Sequence, residues 1–187
     1  MRTRREGASE LEPDDEIEVV DHDPRWNEFF LLESKSLEGA LGRLALEIHH
    51  IGSTAVPGLA AKPVIDIMVA TKGISEVNGF SNRLAPLGYI NVPQDDPGRL
   101  FFRKGVPRTH HLHVVKAGSW TYHSHLWFRD YLMDHPATAE EYECLKWVLA
   151  TKFKSDRAAY VQGKEHMISM VLERASKERL IFPLGAV

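Results

Sequence analysis

His49-His50-Ile51-Gly52-Ser53-Thr54-Ala55-Val56-Pro57-Gly58-Leu59-Ala60-Ala61-Lys62-Pro63-Val64-Ile65-Asp66-Ile67-Met68-Val69 is the stretch on which the reading of this chain turns. It runs from an apolar strand through a turn of small hydroxylated residues and a lysine to a second apolar strand carrying one acid. A Gly-Ser-Thr turn has no bulky side chain, so backbone N–H groups can close around an anion such as phosphate. Lys62 precedes Pro63 and is therefore extended; its ammonium suits a phosphate or a surface carboxylate equally. Asp66 lies inside Val-Ile-Asp-Ile-Met-Val, where an ionised carboxylate is costly without a partner. A carboxylate kept in such a place calls for a metal, a base or a hydrogen-bond donor.

The surrounding chain is that of an ordinary cytoplasmic domain. Its 187 residues suffice for one core with a helical appendage, and 43% apolar and 26% charged residues are usual for a globular protein. A net charge of −3 without a basic stripe argues against nucleic acid as a partner. No apolar run approaches a membrane span and no signal-peptide core opens the chain. Cys144 is the single cysteine, so no internal disulfide exists, as suits a reducing compartment. The composition of residues 1–16 predicts a disordered tail.

In order, Ile17 to Val20 reads as a short strand. Asp23-Pro24 opens a helix whose apolar side chains Trp26, Phe29, Phe30, Leu37 and Leu41 recur at helical spacing until Gly42. Strands are expected over Ala45–Ile51, Val64–Ala70, Gly88–Val92, Leu100–Lys104 and His110–Lys116, with a helical segment between Gly73 and Leu87. The Pro93-Gln94-Asp95-Asp96-Pro97-Gly98 loop is turn-rich, and its second half is a candidate lid. Helices follow over Trp120–Met133, Pro136–Phe153 and from Ser155, the expected N-cap, to about Ser176. Strands then helices predict an α/β (α+β) fold: a mixed-sheet core over 17–118 and a helical part over 119–180 forming the substrate side of a cleft.

Thr109-His110-His111-Leu112-His113 holds the second chemical cluster, in a chain with ten histidines. Period-two alternation puts His111 and His113 on one face, where two imidazoles can share a metal, act as base and orienting group, or be satisfied structurally. Arg129, beside Asp130, can clamp a phosphate or pair with an acid, the second reading being preferred. Tyr142/Lys146 and Tyr160/Lys164 repeat an aromatic and a lysine one turn apart; lysines so placed are ordinarily solvated. His123, His125 and His135 have no partner that the sequence names.

His50 to Ile67 resembles the signature of the GrpB family. Thr109 to Val114 resembles its second block, Asp23-Pro24-Arg25-Trp26 its opening, and Phe128 to Leu132 with the two tyrosine–lysine pairs its C-terminal helices. The resemblance implies a nucleotidyltransferase-like mixed sheet with flanking helices and relatives fused to dephospho-coenzyme A kinase. That superfamily holds phosphates on a Gly-Ser turn and two divalent metals on three acids, two of them one residue apart. Gly52-Ser53 matches the turn and Asp66 the first acid, but Met68 stands at the second, and His111 or His113 falls where the third belongs. One carboxylate with imidazoles suits a softer ion such as manganese or zinc better than paired magnesium, or metal-free base chemistry.

Three expectations follow. The first is a transferase moving a nucleotidyl or phosphoryl group from a nucleoside triphosphate to a small molecule. Here Asp66, His111 and His113 serve as catalytic or metal-binding residues, and Gly52, Ser53, Thr54, Lys62, Arg129 and Lys164 as phosphate contacts. The second is a non-catalytic module binding a nucleotide or coenzyme A precursor. The third is a mononuclear His/Asp metal site with hydrolytic or redox chemistry.

Overall fold

The computed structural model describes residues 16–75 and 77–181; all of the expected tail over residues 1–16 but Glu16 lies outside them, and Glu16 pairs with Lys154 at 2.9 Å. Five strands form one mixed sheet: β1 (Glu47–Ile51), β2 (Ile65–Thr71), β3 (Tyr89–Asn91), β4 (Arg99–Lys104) and β5 (His110–Lys116), ordered β1-β2-β5-β4-β3. β2 sits between an antiparallel neighbour, β1, and a parallel one, β5. Its run of apolar residues follows from cover on both faces. The pairing places Asp66 beside Ile51 and His111, and Met68 beside His113. β4 adds Arg103 opposite His111 and Phe101 opposite His113.

One face of the sheet is sealed. Ile65, Ile67, Val69, Phe102, Leu112 and Val114 pack against Trp26, Leu37 and Leu41 of α1 (Arg25–Leu41) and Phe80 and Leu84 of α2 (Val77–Leu84). Side chains buried this fully contribute about 2 kcal/mol each. The opposite face carries Asp66, Met68, His111 and His113 and lies toward α3 (Trp120–Asp134), α4 (Pro136–Lys152) and α5 (Arg157–Ile181). Met68, Ile51 and Val115 pack there with Tyr122 and Leu126 of α3. Tyr131, Leu132, Tyr142, Met167, Val171 and Ala175 bind the three helices to Val56 and Leu59 of the turn region. α4 and α5 approach closely at Gly163, where a Cβ would lie 2.5 Å from Leu149 Cδ2.

The mixed α+β architecture is the one expected, with three local differences. Ile17–Val20 forms no strand: Val20 makes an isolated bridge to Ala61, and Ile17 N–H donates to the Lys154 carbonyl. The cap of α5 is Asp156 rather than Ser155, its carboxylate accepting from Ala159 N–H at 3.0 Å. The segment before β3 is α2 followed by a 3₁₀ turn over Ala85–Leu87, where Pro86 removes a helical donor. Among the described residues no helix is long and apolar enough to cross a membrane.

Candidate active-site cleft

A cleft of about 680 Å3 opens between the β2/β5/β4 face and helices α4 and α5. Asp66 lies at its floor. Its carboxylate Oδ1 accepts from His111 Nδ1 at 2.9 Å, with His113 Nε2 4.0 Å away. Burial raises the pKa of Asp66, but the hydrogen bonds and charge of the two histidines outweigh it and hold the group well below its usual range. The side chain keeps 29% exposure through the cleft mouth. Oδ2 lies over Gly52, whose φ is +70° and where a Cβ would come within 2.5 Å of that oxygen. Only glycine satisfies both conditions.

Because an ionised carboxylate can only accept, Nδ1 of His111 carries the proton of that bond. Its Nε2 is buried and, among the described residues, without a hydrogen-bond partner, leaving an Asp–His pair whose outer nitrogen is unsatisfied. His113 is fixed the other way round. Arg99 donates to its Nδ1 at 3.1 Å, so in the neutral ring the proton sits on Nε2, toward Asp66. Burial lowers the pKa of His113, with the Arg99 and His111 charges adding to that and Asp66 opposing it. His125 of α3 packs edge-on against His113 with centroids 4.9 Å apart, and burial lowers its pKa to about 3.

The walls are cationic. Lys62, Arg99, Arg103, Arg108, Lys146, Arg157 and Lys164 line the cleft, and Asp66 is the one carboxylate among the described lining residues. Lys146 is 2% exposed, not solvated as a surface lysine would be; its ammonium donates to the Ala60 carbonyl and lies 5.0 Å from the Tyr142 ring centre. Lys164 and Lys62 face the Tyr160 ring at 4.6 and 5.6 Å. Burial lowers Lys146 to about 7, with Lys164 adding to the effect and Glu143 opposing it. Burial lowers Lys62 to about 8, with Arg157, Lys164 and Arg108 adding and Asp66 opposing. Lys164 is shifted down by burial and Arg157, against the pull of Asp66.

Of the anticipated residues, Gly52, Ser53, Thr54, Lys62, Asp66, His111, His113 and Lys164 converge here. The turn spends two of its N–H groups internally, Ala55 on the Gly52 carbonyl and Val56 on that of Ser53. One of its hydroxyls is supported from behind: Thr54 Oγ1 meets His50 Nε2 at 3.0 Å. Arg129 does not reach the cleft. Its guanidinium is held by Asp130 and the His50 carbonyl, and Asp130 also binds Arg179. That places Arg129 as a tie between β1 and the helical pack, the structural alternative of its reading.

The metal expectation fits poorly. Among the described residues no group of three or more His, Cys, Asp or Glu side chains is arranged to hold an ion. Met68, at the second acid position, is fully buried among apolar side chains. Sequence reading missed Arg99, Phe101 and Arg103, although their period-two spacing on β4 puts them on the histidine face. It also missed Arg108, Arg157 and Tyr160 as lining residues. The signal for the last, a tyrosine one turn before a lysine, names no partner by itself.

The profile of the GrpB protein family matches residues 16–174. The chain belongs to the GrpB family. It is 37% identical over 169 residues to the UPF0157 protein YqkA of Bacillus subtilis, covering 89% of this chain and 49% of that protein, so it spans about half that relative's length. The crystal structure of the conserved protein GrpB from Enterococcus faecalis superposes with a TM-score of 0.82 at 34% identity, covering 87% of this chain and 99% of that one. A weaker similarity, 28% over 187 residues, reaches a dephospho-CoA kinase of Mycobacterium tuberculosis, covering 84% of this chain and 45% of that protein. The Cid1 poly(U) polymerase and the GLD-2/RNP-8 complex align at TM-scores of 0.42 to 0.49 and 10–13% identity, too loosely to carry any residue across.

Proposed function

We propose that this GrpB-family cleft binds a phosphate-bearing small molecule of the nucleotide or coenzyme A precursor class and transfers a phosphoryl or nucleotidyl group from it to a hydroxyl acceptor. One observation carries the reading: seven basic side chains from β2, β4, α4, α5 and their flanking loops converge on a cleft with a single carboxylate. Such a lining favours a multiply charged anion and disfavours a cation or an apolar ligand. Phosphates are the common small anions of that charge density, and the guanidinium groups match their oxygens in pairs.

In this reading His111 Nε2 removes the proton of the attacking hydroxyl while Asp66 fixes the ring and stabilises its charged form. The hydroxyl oxygen bonds to phosphorus, the departing phosphate takes the electron pair of the broken P–O bond, and the lysines and arginines offset the charge it gains. A second reading, binding without chemistry, is supported by Met68 at the second acid position and its place in an apolar cluster.

The test is a thermal-shift series with ATP, inorganic triphosphate, coenzyme A and dephospho-coenzyme A at low salt, followed by phosphorus NMR of the mixtures. Stabilisation by at least one of them is expected, with turnover abolished in His111→Ala while binding persists. Stabilisation by none sinks the reading; stabilisation of wild type with unchanged phosphorus spectra across a panel of hydroxyl acceptors leaves the binding module.

A further inference from the structure

Resting on that reading, we propose that Lys62, Lys146 and Lys164 take the place that metal ions would hold, so that the cleft binds the polyphosphate as a bare anion with no divalent cation between. Two independent features lead there. The first is the donor set. A divalent cation shared between protein and phosphate needs hard oxygen ligands, and the cleft offers only Asp66, one of whose oxygens is already engaged by His111. Met68 contributes none.

The second is how the amines are held. Each stands against a tyrosine ring, Lys146 on Tyr142 and both Lys62 and Lys164 on Tyr160, and among the described residues none of the three forms a salt bridge to a carboxylate. The rings give each ammonium a partial partner at its negative face without neutralising it. Burial disfavours the protonated form of all three amines, and like charges add to it: Arg157, Lys164 and Arg108 at Lys62, Lys164 at Lys146, and Arg157 at Lys164. Mutual repulsion of this kind is relieved by an anion placed among them and worsened by an added dication. A magnesium–triphosphate complex brings two fewer negative charges than the free anion, and a hydrated metal for which the described lining offers a single carboxylate.

Calorimetric titration of inorganic triphosphate at pH 7, once with EDTA and once with excess magnesium chloride at matched ionic strength, tests this. Binding in EDTA is expected, about tenfold weaker with magnesium. Lys164→Met and Lys146→Met are each expected to weaken the EDTA titration by about tenfold or more, with magnesium restoring nothing. Should Lys146→Met fail to fold, Asp66→Asn gives a reading of opposite sign: removing a negative charge from the cleft tightens triphosphate binding, whereas loss of a metal ligand weakens it. Binding that requires magnesium or manganese overturns the inference and leaves the phosphate reading standing. Absence of binding under every condition defeats both.

Discussion

Two lysine environments on opposite faces of one sheet contrast in whether a carboxylate pairs with the amine. On the sealed face Lys104 of β4 donates to both oxygens of Glu33, at 2.8 and 2.7 Å, and Glu33 is itself buried on α1. On the cleft face Lys62, Lys146 and Lys164 meet ring faces and, for Lys146, a backbone carbonyl. The first is an ion pair that the fold completes internally. The second is one buried and two half-buried charges with no salt bridge among the described residues, which costs stability unless something from outside completes it. A fold does not retain such a cost for stability's sake, so the contrast points to ligand binding at the cleft.

The contrast breaks most visibly under substitution. Glu33→Gln strips Lys104 of its partner and should lower the unfolding free energy by about 3 kcal/mol in urea denaturation. Lys164→Met should do the reverse, raising it by about 1 kcal/mol, since an apolar side chain replaces a partly desolvated charge beside Tyr160. If Lys164 were as structural as Lys104, both variants would lose stability. The smallest effect is reserved for the rings: Tyr160→Leu keeps the wall but removes the negative face, weakening triphosphate binding about threefold, or about 0.7 kcal/mol, in the same titration.

The sheet was legible because β2 and β5 carry patterns that admit few alternatives. Val-Ile-Asp-Ile-Met-Val has to be covered on both faces, and His111 and His113 follow from strand alternation once β5 is recognised. The His111–Asp66 contact, across 45 positions, was readable only as a suspicion raised by the cost of a buried acid. The cationic cleft was not legible. Its seven basic residues are scattered between positions 62 and 164, and a net charge of −3 hides them. Lys146 reads as a solvated helix lysine until the packing of α4 against Ala60 is known. Arg129 misleads in the opposite direction, since its neighbour Asp130 and the distant His50 carbonyl absorb it. Local pattern fixes which face a side chain takes; convergence of charges from separate elements is decided by tertiary packing.

The central claim is that the cleft amines await an anion, and lysine side-chain NMR tests it most directly. Nζ-labelled protein would be titrated from about pH 6 to about 11.5, alone and with inorganic triphosphate, spanning the ordinary lysine value of about 10.4. Resonances are assigned through the Lys62, Lys146 and Lys164 to Met variants. Without ligand, Lys146 and Lys62 should titrate near 7 and 8, as their burial among like charges dictates. Their protonated forms are thus lost as pH rises through that window, while the unfolded chain keeps its proton, so ligand-free stability rises with pH there and anion affinity falls. With triphosphate bound, both should move upward toward the ordinary value. Amines that titrate near that value with or without triphosphate, or that do not respond to it, would contradict the account.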